Sequence, residues 1–208
     1  MIKTLQRSFL RGAAVLLLAT LAACQTVPTS PAGAALKYSD TIDIGGRFTT
    51  QYEQNGKPQS ISGSFEWSQT PQKTVVTLLS PLGQTVATIT STAQGATLAQ
   101  ADRPTKSAPN VDTLVADTLG WPLPVSNLRN WMQGQVSDDS GHHLSVTPQM
   151  SNTINTADGW RLLYLSWQDN EAGAKDSPAV PKRIDMERDT SYAGRVQMRL
   201  VISSWQPH

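Results

Sequence analysis

From Ile42 onward the chain alternates apolar and polar residues, and turn-forming residues interrupt the alternation at short intervals. That pattern constrains the fold more than any other feature, because a period of two places alternate side chains on opposite faces of a strand. Ile42, Ile44, Gly46, Phe48, Thr50 and Tyr52 share one parity, against Asp43, Gly45, Arg47 and Gln51 on the other. Asn55-Gly56 then marks a two-residue hairpin turn. The partner strand carries Ile61, Gly63, Phe65 and Trp67 on one face, and Thr70-Pro71-Gln72 ends it. Lys73 to Leu79, Gln84 to Ser91 and Ala96 to Gln100 continue the series, separated by Ser80-Pro81-Leu82-Gly83 and Gln94-Gly95. Short consecutive strands joined by tight turns predict an antiparallel meander. Residues 101 to 110 (ADRPTKSAPN) read as a long loop.

The period then changes. Val111, Leu114, Val115 and Leu119 form a helical stripe, with Asn110 as N-cap, Asp112 in the first turn and Gly120 as the stop. Pro122 and Pro124 break it, and Val125, Leu128, Trp131 and Met132 form a second stripe closed by Gly134. Strands resume near Leu144 to Val146, at Ile154 and from Trp160 to Trp167. A polar loop at 169 to 178 precedes two further strands, Val180 to Glu187 and Arg195 to Trp205. The fold class expected is mainly β: a single antiparallel sheet, strongly curved or barrel-like, with two helices inserted half way.

The N-terminus is not part of that fold. Lys3, Arg7 and Arg11 precede an apolar run, Ala13 to Ala23, too short to span a bilayer and of the size of a signal-peptide core. The run ends in Leu21-Ala22-Ala23-Cys24, which resembles the lipobox of bacterial lipoproteins, where the cysteine is lipidated and becomes the mature N-terminus. An ordinary cleaved signal with an incidental cysteine is the alternative. Gln25 and Thr26 follow with no Asp beside the cysteine, which in some bacteria directs a lipoprotein to the outer membrane. The expected organisation is a signal peptide at 1–23, a lipidated N-terminus and flexible tether at 24–39, and a folded domain at 40–208. Removing the signal takes away three of 17 basic residues and none of 16 acidic ones, so the formal charge moves from +1 to about −2.

Composition excludes several classes. One cysteine cannot form an internal disulfide, and 16% charged residues do not make a nucleic-acid surface. No catalytic motif is present. His142 and His143 are adjacent and face opposite ways in a strand, His208 is terminal, and the acidic residues at 138–139 and 185–189 read as surface. We expect no enzyme activity, cofactor or metal. Six tryptophans (67, 121, 131, 160, 167 and 205) are core residues or the wall of an apolar cavity under the helices. Leu82 sits between Pro81 and Gly83 at a hairpin tip, where an apolar side chain dips into lipid, meets a partner's groove or folds back on the sheet.

Cys24 after its lipobox, Gly46-Arg47-Phe48, Gly63-Ser64-Phe65-Glu66-Trp67, Ser80-Pro81-Leu82-Gly83-Gln84, Gly120-Trp121-Pro122-Leu123-Pro124 with Leu128 and Trp131, Gly159-Trp160 and Leu200-Val201-Ile202-Ser203-Ser204-Trp205 occur in this order. Together they resemble the LolB family, outer-membrane lipoprotein receptors of the bacterial lipoprotein-sorting pathway. The resemblance spans nearly the whole mature chain. It implies a monomeric, open antiparallel half-barrel with helices as a lid over a hydrophobic cavity, anchored through Cys24 on the periplasmic face of the outer membrane. The implied function is to accept acylated lipoproteins from the periplasmic carrier LolA and insert them into the inner leaflet, without nucleotide. Phe48, Trp67, Leu78, Leu119, Trp121, Leu128, Trp131, Met198 and Leu200 are then candidates for cavity or lid wall, and Leu82 for the membrane-delivery loop. Arg47, Arg129, Lys182 and Arg183 are candidates for carrier contact. The competing readings are a structural outer-membrane lipoprotein, with its tryptophans used only as core, and a periplasmic hydrolase.

Overall fold

The computed structural model describes residues 35–119, 123–150, 153–169, 178–191 and 193–208. Ten strands form one antiparallel sheet: β1 (Ile42–Gln54), β2 (Lys57–Gln69), β3 (Lys73–Leu79), β4 (Thr85–Thr92), β5 (Gly95–Gln100), β6 (Arg103–Ala108), β9 (Thr153–Asn155), β10 (Arg161–Gln168), β11 (Val180–Thr190) and β12 (Gly194–Pro207). Two helices, α1 (Val111–Leu119) and α2 (Val125–Trp131), follow β6, and β7 (Gln135–Ser137) and β8 (His143–Ser145) make a separate hairpin. The strand order is β6-β5-β4-β3-β2-β1-β12-β11-β10-β9. The first and last strands therefore pair at the centre, while β6 and β9 are edges, and the sheet does not close on itself.

The alternation read from the sequence sets the inner face. Register stacks Ile61, Thr50, Met198 and Met186 in one row, and Gly63, Phe48, Leu200, Ile184 and Tyr164 in the next. Two glycine positions shape the curvature. A register shift between Gly45 and Gly46 bends β1 against β12. At Gly63 a Cβ would lie 2.4 Å from the Leu79 carbonyl and 3.2 Å from the Phe48 ring, so glycine lets Phe48 lie across β2.

Residues 101 to 110 are not one loop. Asp102 takes φ +57°, turning the chain so that Arg103 pairs with Gln100 and β6 runs back along β5. The sequence hid this strand because an edge strand exposed through Arg103–Ser107 needs no apolar parity. The strand expected near Leu144 exists but belongs to the β7–β8 hairpin.

The folded part also begins earlier than expected. Leu36 is buried, and Gln135 Nε2 donates to its carbonyl at 2.9 Å. The fully buried Gln133 accepts from the Ser39 amide (2.8 Å) and donates to the Ser39 carbonyl (3.1 Å), a side-chain imitation of strand pairing. The Tyr38 hydroxyl accepts from Gln69 Nε2 and Arg129 Nε, both at 3.0 Å. Residues 36 to 39, expected in the tether, thus form a strap bound to α2 and the turn after it.

Candidate functional site

The two helices do different work over the sheet. Asn110 Oδ1 accepts from the Thr113 amide at 2.8 Å and caps α1 as its sequence indicates. The first residue before α2 is Pro124, which has no side-chain acceptor, so Asp112 of α1 substitutes: its carboxylate accepts from the Ser126 amide at 3.0 Å and from the Ser126 hydroxyl. At the far end, the Tyr164 hydroxyl rises from the sheet floor and donates to the Trp131 carbonyl at 2.8 Å. That carbonyl lies in the last turn of α2, where it also accepts from the Gly134 amide at 3.0 Å. Burial pushes the Tyr164 phenol far above its ordinary range, so it stays a neutral donor. Strap, floor and α1 therefore all hold α2.

Between the helices and β1–β5 with β12 lies a cavity of about 170 Å³. Its floor includes Phe48, Phe65, Trp67, Leu78, Met198 and Leu200, and its roof includes Val115, Leu119, Val125, Leu128 and Met132. Among the described residues no charged side chain lines it, and Thr50, Gln100 and Thr118 are the polar ones that do. Two polar groups are turned away from it. Thr118 Oγ1 donates to the Leu114 carbonyl at 2.8 Å, and Trp67 Nε1 donates to Gln69 Oε1 at 3.2 Å. Such a wall offers contact area and almost no hydrogen bonding, the chemistry that suits a hydrocarbon chain.

Of the residues anticipated from sequence, Phe48, Trp67, Leu78, Leu119, Leu128, Met198 and Leu200 converge here. Trp131 does not line this cavity. It lies edge-on to Trp160, with ring centroids 6.4 Å apart, and borders a polar groove on the other side of α2. Its place in the helical stripe is real, but its ring packs under α2 toward β10 rather than toward β2. Trp121 and Cys24 lie outside the described residues. Sequence reasoning missed Ile61, Phe65, Val76, Ile89 and Leu98, although each has the parity of an inward residue. Trp160 and Trp205 are core, and Trp167 stacks on Tyr164 at 5.8 Å.

Leu82 protrudes. The Gly83 amide donates to the Ser80 carbonyl and the Ser80 amide to the Gln84 carbonyl, both at 2.8 Å, with Gly83 at φ +79°. This closed turn is satisfied by its own backbone, and Leu82 is left 88% exposed. Of the four basic candidates, Arg129 is spent on Tyr38 and Arg183 on Asp185 at 2.8 Å, while Arg47 and Lys182 are exposed. His142 pairs with Asp138 and His143 with Ser137 Oγ, both at the surface. Among the described residues no group of three or more His, Cys, Asp or Glu could hold a metal, and no helix is long and apolar enough to cross a membrane.

A family described as outer membrane lipoprotein LolB matches residues 40–205. An outer-membrane lipoprotein LolB of Cupriavidus taiwanensis is 34% identical over 187 residues, covering 90% of this chain and 92% of the relative. One from Cupriavidus metallidurans is 36% identical over 197 residues, covering 92% and 95%. In fold alone, a DUF1329 family protein from Desulfovibrio piger superposes with a TM-score of 0.50 at 9% identity, over 83% of this chain and 87% of that one.

Proposed function

The chain belongs to the LolB family of outer-membrane lipoproteins, which are lipoprotein-sorting receptors and not enzymes, and on that premise we propose how it handles cargo. It accepts an acylated lipoprotein from the soluble periplasmic carrier LolA, holds the acyl chains in the cavity under α1 and α2, and releases them into the inner leaflet of the outer membrane. Cys24 carries the acyl groups that keep the receptor on that membrane, and the residues between it and the strap are its tether. The observation that carries this reading is the uncharged cavity walled by Phe48, Trp67, Leu128 and Leu200.

Burying a methylene is worth ~0.8 kcal/mol, so exposing even part of an acyl chain to water is a prohibitive barrier. Hand-over must then run cavity to cavity to bilayer along apolar surface, with affinity rising at each step. Leu82, held out on a turn closed by its own backbone hydrogen bonds, is suited to enter the lipid first and mark the point of release.

A soluble variant, Cys24→Ala, tests the core of the proposal. It should take an acylated lipoprotein from the carrier and bind a fluorescent fatty acid. If it does neither, the protein is a scaffold. In the anchored protein, Leu82→Glu should leave uptake from the carrier intact and slow delivery to liposomes; equal delivery rates would remove the turn from the mechanism.

A further inference from the structure

One strand of the sheet is only half covered. β1 pairs with β2 along its whole length, but β3 reaches no further than Ser64, opposite Leu79. The stretch from Lys57 to Gly63 is therefore an open edge on that side. Through the Asn55-Gly56 turn, Gln54 and Lys57 face each other, so residues 57, 59, 61 and 63 direct their amides at β1. The Glu53 amide agrees with this phase, since it points the other way, to the Ala193 carbonyl at 2.9 Å. Ser60 and Ser62 accordingly turn both N–H and C=O outward, and among the described residues nothing pairs with them. Natural sheets usually blunt such an edge with charge or proline. Here Pro58 stands at its outer end, and from Pro58 to Gly63 there is no charge.

The open edge adjoins the cavity. Ile61, 38% exposed, belongs to this stretch and also lines the cavity. At ~3.3 Å per residue it lies about 10 Å beyond Ser64, on the side of the sheet to which the Leu82 turn projects. Mouth, free edge and protruding leucine share one corner of the molecule.

The geometry points to a peptide-binding edge: Ser60 and Ser62 take, as an added strand, the extended segment that directly follows the acylated cysteine of a cargo lipoprotein. This rests on the acyl-receptor reading above. A cargo whose chains fill the cavity must lead its peptide out at the mouth, past Ile61. The segment after Cys24 in this chain, residues 25–36 (QTVPTSPAGAAL), is uncharged, and Gln25-Thr26-Val27, ahead of Pro28, keep the backbone N–H groups that an added strand needs, whereas Pro28 and Pro31 offer none. Strand addition works through backbone groups, so one edge can serve cargoes that differ in sequence. The cavity supplies affinity, and the edge sets the direction in which the peptide leaves.

Ser62→Pro removes one outward N–H and leaves the bonds to β1 in place, a substitution an edge strand tolerates. The probes are a triacylated cysteine followed by residues 25–34 of this chain, the same lipid with only two residues, and a fluorescent fatty acid. Ser62→Pro should weaken the long lipopeptide about tenfold, the weight of one or two net backbone hydrogen bonds, and leave the other two probes unchanged. Ser62→Ala should change none of the three. With the unaltered protein, N-methylation of alternate amides in the long probe should produce the same loss. Equal binding of methylated and plain probes, or of Ser62→Pro and wild type to the long probe, overturns the edge while the fatty acid still binds. A wild-type dimer that Ser62→Pro renders monomeric, with lipopeptide affinity unchanged, gives the edge to a second copy and overturns it too. If no lipid probe binds the wild type, the acyl-receptor reading falls and takes this inference with it.

Discussion

Gln133 carries more of the architecture than its residue type suggests. It is wholly buried, it satisfies both backbone groups of Ser39, and its Nε2 also donates to the Arg129 carbonyl at 3.2 Å. Gln133→Ala leaves the Ser39 amide and the Arg129 carbonyl without this partner in a partly buried place, while Gln69 Nε2 still reaches the Ser39 carbonyl at 3.4 Å, at a cost of about 1–3 kcal/mol. The urea midpoint should fall accordingly, and protease cleavage near residue 36 should accelerate. An unchanged cleavage rate would mean the strap is held without this side chain. Asp185 offers a residue-level test by pH. Desolvation by burial raises its pKa, but hydrogen bonds and charge from Arg183 and Arg199 outweigh that and hold it below the ordinary value. A carboxylate with a lowered folded pKa stabilises the fold above its unfolded value, ~3.9, and loses that contribution as pH falls through the folded one. Asp185→Asn should therefore be less stable than wild type at pH 7, and the gap should close in acid, read as urea midpoints at pH 7 and pH 3.

At the scale of elements, the helix pair behaves as a unit because Asp112 does for α2 what Pro124 cannot. Asp112→Ala should cost about 1 kcal/mol, the weight of an N-cap, and lower the melting temperature by about 2–4 °C. Asp112→Asn keeps an acceptor for the Ser126 amide and should recover most of that. If the latch also restrains the roof, Asp112→Ala should take up a fluorescent fatty acid faster than wild type; an equal on-rate would leave the latch a purely structural cap. The elements themselves show where sequence reading works. β1 and β2 were legible because one face is buried and the other solvated, so parity is written plainly in Ile42 to Phe48 and Phe65 to Trp67. β6 was not, because an exposed edge leaves no such mark. Parity puts Phe48, Met198 and Leu200 on shared strand faces, and the family resemblance is what makes them candidates for the cavity wall. Trp131 belongs to the roof helix α2 but does not line the cavity, because a stripe tells which face of a helix is buried but not which neighbour it is buried against. The strap was illegible, since its hold depends on Gln69 and Gln133, polar residues far away in sequence.

At the scale of the whole molecule, the fold divides an inner face into a filled half and an unfilled one. Trp160, Tyr164, Ile184 and Met186 pack solidly on the β10–β11 side of α2, while Phe48, Trp67 and Leu78 face the cavity beneath α1 and the opposite flank of α2, where Val125 and Leu128 lie. The unfilled half, about 170 Å³, is below the ~300–1,000 Å³ of ordinary ligand pockets and close to the ~150 Å³ that holds a single benzene ring. A rigid cavity of that size takes roughly a six-carbon group. Acyl chains of lipoprotein length demand more, and the sheet is open at β6, beside the helix with fewer polar ties. We therefore expect α1 to move off the sheet while α2, bound to strap and floor, stays. A series of fatty acids from six to sixteen carbons tests this directly. Affinity should climb with each added carbon beyond eight, at up to ~0.8 kcal/mol per methylene, less the cost of parting the helix from the sheet. The binding heat capacity should grow more negative in step as apolar surface is removed from water. A plateau at about eight carbons would mean that the cavity does not expand, and the acyl chains would then have to be held elsewhere on the molecule.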